Sequence, residues 1–162
     1  MNYLGMKRND VSRTVSQLNL LLANYHVYYQ NLRNFHWNVS GENFFDLHDK
    51  FEELYNDARA KIDEIAERIL TLRLRPLSKM SDYLNTAAVN EADSFSNDRE
   101  MVDVILENHK IIIENMREVV RAADEVGDEG TIDMIGGFLS GLEKKSWMLD
   151  AWRAKVEQPT MV

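Results

Sequence analysis

Apolar residues recur at alternating steps of four and three along the start of the chain: Val11, Val15, Leu18, Leu22, Tyr25, Tyr29 and Leu32. That spacing predicts a helix from about residue 10 whose apolar seam faces other helices. The next place in the seam holds His36, where an apolar residue is expected. "SG" at 40–41 ends this helix, because Gly suits the left-handed exit conformation. A second stripe, Leu47, Phe51, Leu54, Ala58, Ile62, Ile65, Ile69 and Leu72, predicts a helix over about residues 43–72. Pro76 breaks it by disfavouring helix at Arg75. Val102, Ile105, Ile112, Met116, Val119 and Ala123 predict a third long helix over roughly 98–126, with N-caps offered by "DSFSND". After the turn "GDEG" at 127–130, a fourth long helix is expected over about 131–157, stopping before Pro159. Gly136, Gly137 and Gly141 inside it each cost about 1 kcal/mol relative to Ala, and suit the close approach of another helix. A short helix near 81–88 falls inside the long connection between the second and third long helices.

No strand pattern competes, so the fold class is all-α. Short turn, long crossover, short turn is the connectivity of a ferritin-like four-helix bundle. The 162 residues fit one domain, with a short leader at 1–9 and a short tail at 158–162. A hydrophobic fraction of 44% with seven Gly and two Pro agrees with a helical globular chain. There is no cysteine, which excludes disulfides, iron–sulfur clusters and thiolate metal sites. A metal would be held by His, Asp and Glu, the donors of iron, manganese, zinc or magnesium chemistry. The N-terminus lacks a signal-peptide pattern and no apolar run reaches membrane-spanning length, so a cytoplasmic setting is expected. The net charge of −8 disfavours a general electrostatic grip on nucleic acid.

The candidate chemistry lies in "NFHWNVSGENFFDLH", which holds His36 and His48 on either side of the Ser-Gly step. They are either packing residues of two helices or two metal ligands. At about 100° per residue, His48 lies roughly 85° from the inward direction of the second helix, Glu52 about 125°, Asp63 about 145° and Glu67 about 185°. A solvated face explains the acids first, and Arg59 is placed to neutralise Asp63 at i,i+4. Against that, Asp63 and Glu67 are like charges at i,i+4, and Phe45, Leu70 and Leu74 share their outward face, as on a partner surface. The chain has no Glu-x-x-His, so an intrachain di-iron centre of the usual ferritin-like kind is not expected. His48 and Asp63 stand roughly 22 Å apart along one helix at about 1.5 Å per residue, too far to share an ion. An antiparallel two-fold pairing of second helices would bring the histidines of one chain to the acids of another. The spacing permits that arrangement without establishing it. His26, one residue beyond the seam, reads as a surface or interface histidine, and His109 as a packed core histidine.

The run from Asn34 to Ile69 resembles the signature of the Dps miniferritins: F-H-W-N, then N-F-F-x-L-H twelve residues on, then D-E-I-A-E-R. The four-helix plan extends the resemblance over nearly the whole chain. It implies a homo-oligomeric shell of twelve subunits with iron sites at two-fold interfaces. His36 and His48 match the family's histidines from one subunit, and Asp63 and Glu67 its acids from the neighbour. Glu52 matches a carboxylate on the histidine-bearing side, supporting a second, weaker iron. The implied activity is a ferroxidase that oxidises Fe(II) to Fe(III), preferentially with hydrogen peroxide, and stores the product as mineral, protecting DNA. Trp37 and Trp147 resemble tryptophans near that centre, but ordinary packing is the reading they are given. Asp128, Glu129 and Asp133 are candidates for a threefold pore, with cap and surface roles competing. The alternative function is a nucleoid-associated protein that binds DNA directly. The sequence departs from the family's Lys-rich tail, since the leader offers Lys7 and Arg8 against Asp10 and "EQPTMV" has no basic residue. A structural bundle with vestigial ligands is the third reading.

Overall fold

In a computed structural model, which describes residues 3–93 and 97–154, four long helices and one short helix are the regular elements. They are α1 (Ser12–Asn38), α2 (Phe44–Thr71), α3 (Met80–Thr86), α4 (Asp98–Asp124) and α5 (Glu129–Arg153). The expected stripes are the core. Val11, Val15, Leu18, Leu22, Tyr25 and Leu32 of the first seam are buried, and Tyr29 is half-buried. Phe51, Leu54, Ile65 and Ile69 of α2 meet them, as do Ile105, Ile112, Met116 and Val119 of α4.

Helix ends are set locally. Gly41, at φ 101°, reverses the chain between α1 and α2. Asn97 caps α4, accepting from the Arg99 amide at 2.9 Å and the Glu100 amide at 3.4 Å. Of the cap segment named from sequence, residues 94–96 lie outside the described residues, as do residues 155–157 of the expected last helix. Pro76 is not what stops α2. Arg73 adopts φ 68°, and the Leu74 amide donates back to the Ile69 carbonyl at 3.2 Å, which ends the helix earlier.

α1 is buried on more than the seam. Residues 21–25 are buried in succession, and Val27, Tyr28 and Asn31 continue a second inward face. This face is covered by α4 and by the crossover that carries α3. Much of the crossover has no helix or strand of its own, so side chains of α1 bond its backbone. Asn24 Oδ1 accepts from the Ala88 and Val89 amides at 2.8 and 3.1 Å, while its Nδ2 donates to Asn115 Oδ1 at 3.1 Å. Asn31 Oδ1 accepts from the Ala92 amide at 2.9 Å, and its Nδ2 donates to the Asn90 carbonyl and to Asn108 Oδ1. Asn19 accepts from the Leu77 amide, and Asn34 donates to the Ala92 carbonyl.

His109 is a core histidine, as expected. Tyr28 Oη donates to its Nε2 at 2.8 Å, and its Nδ1 donates to Ser146 Oγ at 2.8 Å, since that hydroxyl gives its own proton to the Leu142 carbonyl. Burial lowers its pKa from 6.5 to about 3. His26 is half-buried and stacks on Tyr83 of α3, ring centroids 3.8 Å apart. Gly136, Gly137 and Gly141 do not serve a close approach within the chain, because a Cβ at each would meet nothing within 4 Å. Gly130 is the constrained position: a Cβ there would lie 2.8 Å from an Arg68 guanidinium nitrogen.

Asn24→Ala removes three hydrogen bonds and orphans buried amides, which should destabilise the protein by about 3 kcal/mol. Urea unfolding at fixed protein concentration measures this, and a loss below about 1 kcal/mol would show that the crossover does not depend on the clasp. His109 gives a pH dependence of definite sign. The unfolded histidine titrates near 6.5 and the native one near 3, so stability is intact above 6.5 and is lost as pH falls through that window. Between about pH 7 and pH 5.5 the parent protein should lose about 1 kcal/mol more than His109→Gln.

Candidate metal centre

The Ser-Gly turn folds α2 back along α1 and lays His36 against His48. His36 is nearly buried at the end of the seam, and His48 is half-buried in the second turn of α2. Their hydrogen bonds are reciprocal. His36 Nδ1 lies 2.7 Å from the His48 carbonyl oxygen, and His48 Nδ1 lies 2.8 Å from the His36 carbonyl oxygen. A carbonyl oxygen only accepts, so each Nδ1 carries the proton and donates. In the neutral ring Nε2 then keeps the lone pair, the state a metal-binding imidazole requires.

The rings stack with centroids 3.8 Å apart and planes 15° from parallel. Phe44 covers the other face of His48 at 4.8 Å, and Tyr55 sets its ring on His36 at 5.2 Å and 87°. Nitrogen lone pairs lie in the ring planes. Two nearly parallel, stacked planes offer no common point at a bond length of about 2 Å. As placed, the two rings do not chelate one ion together.

Glu52 follows His48 by one turn and is exposed. Tyr55 Oη donates to its Oε1 at 3.4 Å. Desolvation first, then the Glu52 carboxylate, holds the Tyr55 phenol above its ordinary pKa. Tyr55 was not among the sequence candidates; its signal is the i,i+3 spacing from Glu52, which is common on any helix.

Asp63 and Glu67 are exposed on the outer face of α2. Arg59 does not neutralise Asp63: among the described residues, no ion pair includes Asp63 or Glu67. Phe45 and Leu70 share this face, 77% and 52% exposed, whereas Leu74 is tucked against the core. The structure thus joins His36, His48 and Glu52 at one end of α2 and leaves Asp63 and Glu67 toward the other. Among the described residues, no three His, Asp or Glu side chains of one chain converge on a metal position.

Three further expectations change. Trp37 and Trp147 are not packing residues of the chain, being 61% and 65% exposed; Arg33 lies over the Trp37 ring. Asp128 is not free to line a pore. It is fully buried, caps α5 by accepting from the Thr131 amide at 3.1 Å, and pairs with Arg68 at 2.5 Å. Glu129 and Asp133 remain exposed.

Residues 15–158 match the family model described as a ferritin-like domain. A "DNA protection during starvation protein" of Porphyromonas gingivalis is 43% identical over 93% of this chain and 95% of its own. The chain belongs to the Dps family. Among solved structures, the Dps protein of Vibrio cholerae O1, a member of a broad superfamily of ferritin-like diiron-carboxylate proteins, is 40% identical. It aligns with a TM-score of 0.92 over 95% of this chain and 97% of its own. A Dps protein from Bacillus brevis is 39% identical, with a TM-score of 0.88 over 92% of this chain and 100% of its own. This Dps chain therefore has the all-α, ferritin-like fold that its helix order describes. None of its described helices is long and apolar enough to cross a membrane.

Proposed function

We propose that this Dps protein is a ferroxidase and iron store. It oxidises Fe(II), preferentially with hydrogen peroxide, at centres completed between two subunits of a hollow twelve-subunit shell, and holds the Fe(III) product there as mineral. The observation that carries this reading is the reciprocal His36–His48 pair, with both Nδ1 atoms committed to carbonyls and both Nε2 atoms left as donors. Two further observations support it. Asp63 and Glu67 stand exposed and, among the described residues, outside any ion pair, next to apolar residues that suit a protein interface. The Vibrio cholerae relative is placed among diiron-carboxylate proteins.

In this reading iron is the substrate. His36 and His48 bind it through neutral imidazole. Asp63 and Glu67 of a second copy add hard, anionic oxygens that favour Fe(III) over Fe(II). Glu52 supports the second position. Two ferrous ions supply two electrons to one hydrogen peroxide, which takes up two protons and leaves as two waters. A paired transfer avoids the one-electron cleavage that releases hydroxyl radical, which is how the reaction would protect DNA. Protons compete with metal for each Nε2, so iron binding weakens as pH falls.

Oxidation of Fe(II) by peroxide, followed optically, should fall about a hundredfold or more in His36→Ala/Asp63→Ala. Equal rates in the parent and the variant would reject the assigned centre. The shared centre has a stricter test. Single-variant chains, His36→Ala and Asp63→Ala, should each be inactive alone. Unfolded together and reassembled, they should recover about a quarter of parental activity, because each mixed two-fold interface restores one of its two centres. No recovery would place the centre within one chain.

Direct DNA binding is the alternative, and the charge of −8 weighs against it. Gel shifts across a salt series should show no saturable complex at physiological salt; a complex that weakens steeply with salt would restore the alternative.

A further inference from the structure

The chain leaves α5 beside an open groove. α2 and α5 run antiparallel, tied by Arg68 to Thr131 and Asp128, by Lys61 over the Phe138 ring, and by Asp57 to Lys145 at 2.7 Å. From Leu54 back to Asp46, α2 instead faces Lys145 to Trp152 of α5 across a groove of about 200 Å³. Leu47, Leu54 and Leu149 are its buried floor, and Trp152 stands half-buried at one end. Met148 lines it with 45% of its surface exposed. The two lysines of the groove are committed to Glu53 and Asp57, so what it offers is mainly apolar contact. Its volume falls below the roughly 300–1,000 Å³ of small-molecule sites. Arg99 donates to the Arg153 carbonyl at 2.8 Å and Arg153 pairs with Asp103, which fixes the last turn of α5 against α4. Ala154, at φ −59° and ψ 134°, has left the helix. Residues 155–162 lie outside the described residues, and they begin three positions after Trp152. Val156, Pro159, Met161 and Val162 make this segment half apolar.

We propose that residues 155–162 fold back into the groove between α2 and α5 and cover Leu54, Met148 and Trp152. Eight residues reach up to about 26 Å at about 3.3 Å each. Trp152 to Lys145 is roughly 10 Å of helix at about 1.5 Å per residue, so length remains for the reversal. Pro159 biases Gln158 toward extended backbone and brings no amide that would need a partner there. Tethering matters to a groove this small. A segment of the same chain meets it at an effective concentration on the order of millimolar. A separate partner would lack the area of a stable interface, about 1,200 Å² or more. The proposal is independent of the metal-centre reading.

The chain has no cysteine, so an introduced pair reports a single contact. Two pairs, Met161→Cys/Glu53→Cys and Thr160→Cys/Glu53→Cys, present successive side chains of an extended segment, which point to opposite sides. In the assembled protein under mild oxidation, one of the two should form a disulfide that keeps monomer mass on a non-reducing denaturing gel. Met161→Cys/Glu114→Cys is the control, because Glu114 is exposed on the groove between α1 and α4. A product of dimer mass would show that a neighbour's segment fills the groove and would overturn the proposal, as would no linking above the control. Methionine oxidation gives a second readout. Hydrogen peroxide adds one oxygen to a thioether and leaves as water. In the assembled, iron-free protein, Met148 should oxidise several times faster in a chain ended at Ala154, and in Met161→Asp, than in the parent. Met80, 64% exposed on α3, should keep one rate in all three. Equal Met148 rates by mass spectrometry would sink the idea.

Discussion

A crossover that lacks regular structure over much of its length must still satisfy its backbone amides and carbonyls, and α1 supplies the partners. Asn19, Asn24, Asn31 and Asn34 reach the backbone at residues 77, 88, 89, 90 and 92. The rest of the architecture follows from where this clasp lies. It holds the connection against α1, so α1 is buried on two faces and becomes the axis of the bundle. It also leaves the outer face of α2 uncovered, with Asp63, Glu67, Phe45 and Leu70 exposed on it.

A polar clasp of this kind contributes specificity through its geometry. Each asparagine amide has a donor and an acceptor in fixed positions, so only one placement of the crossover satisfies both. The ends of α2 are fixed by different means. At its start the His36–His48 exchange of hydrogen bonds ties it to α1. At its end Arg68 bonds Asp128 and Thr131 at the start of α5, and Gly130 leaves room for the guanidinium. Glu67 is the neighbour of Arg68 in sequence, on a helix end that this buried ion pair immobilises. Both halves of the candidate centre thus sit on anchored backbone, which a metal site needs if its ligands are to meet across an interface.

Much of this was legible in the sequence because it depends on periodicity. The seams of α1, α2 and α4 are apolar at helical spacing, and His36 stood out as the one polar residue in its seam. The turn at "SG" brought His48 beside it, and helix rise separated both from Asp63. What periodicity does not carry is the partner of a buried polar group. The stripes carry no signal for the burial of Asn24 and Asn31, whose crossover partners lie about sixty residues away in a segment without a pattern. Asp128 was open to cap and pore roles until Arg68 was seen beside it. Trp37 and Trp147 were read as packing residues because large aromatics usually are. Burial inside one chain is decided by tertiary contacts that spacing leaves undetermined, and it says nothing of what an exposed tryptophan meets in an assembly.

The division of the candidate centre has a physical consequence for when it works. The histidine donors gather where α1 ends and α2 begins, and the acid donors lie toward the other end of α2, so on this reading neither set is a complete site alone: the first lacks the acids' anionic oxygen, the second lacks nitrogen and is exposed to competing water. On the proposed reading, assembly itself creates the affinity, and unassembled chains do not hold reactive iron. The parallel stacking of His36 and His48 then divides the centre again, one lone pair to each position. A site built this way separates three events that a pre-formed cage would merge: association of chains, capture of a first ion, and arrival of the second. Chemistry that requires two electrons at once is safest when the second arrival is the last step, because an oxidant then meets either a single shielded ion or a complete pair.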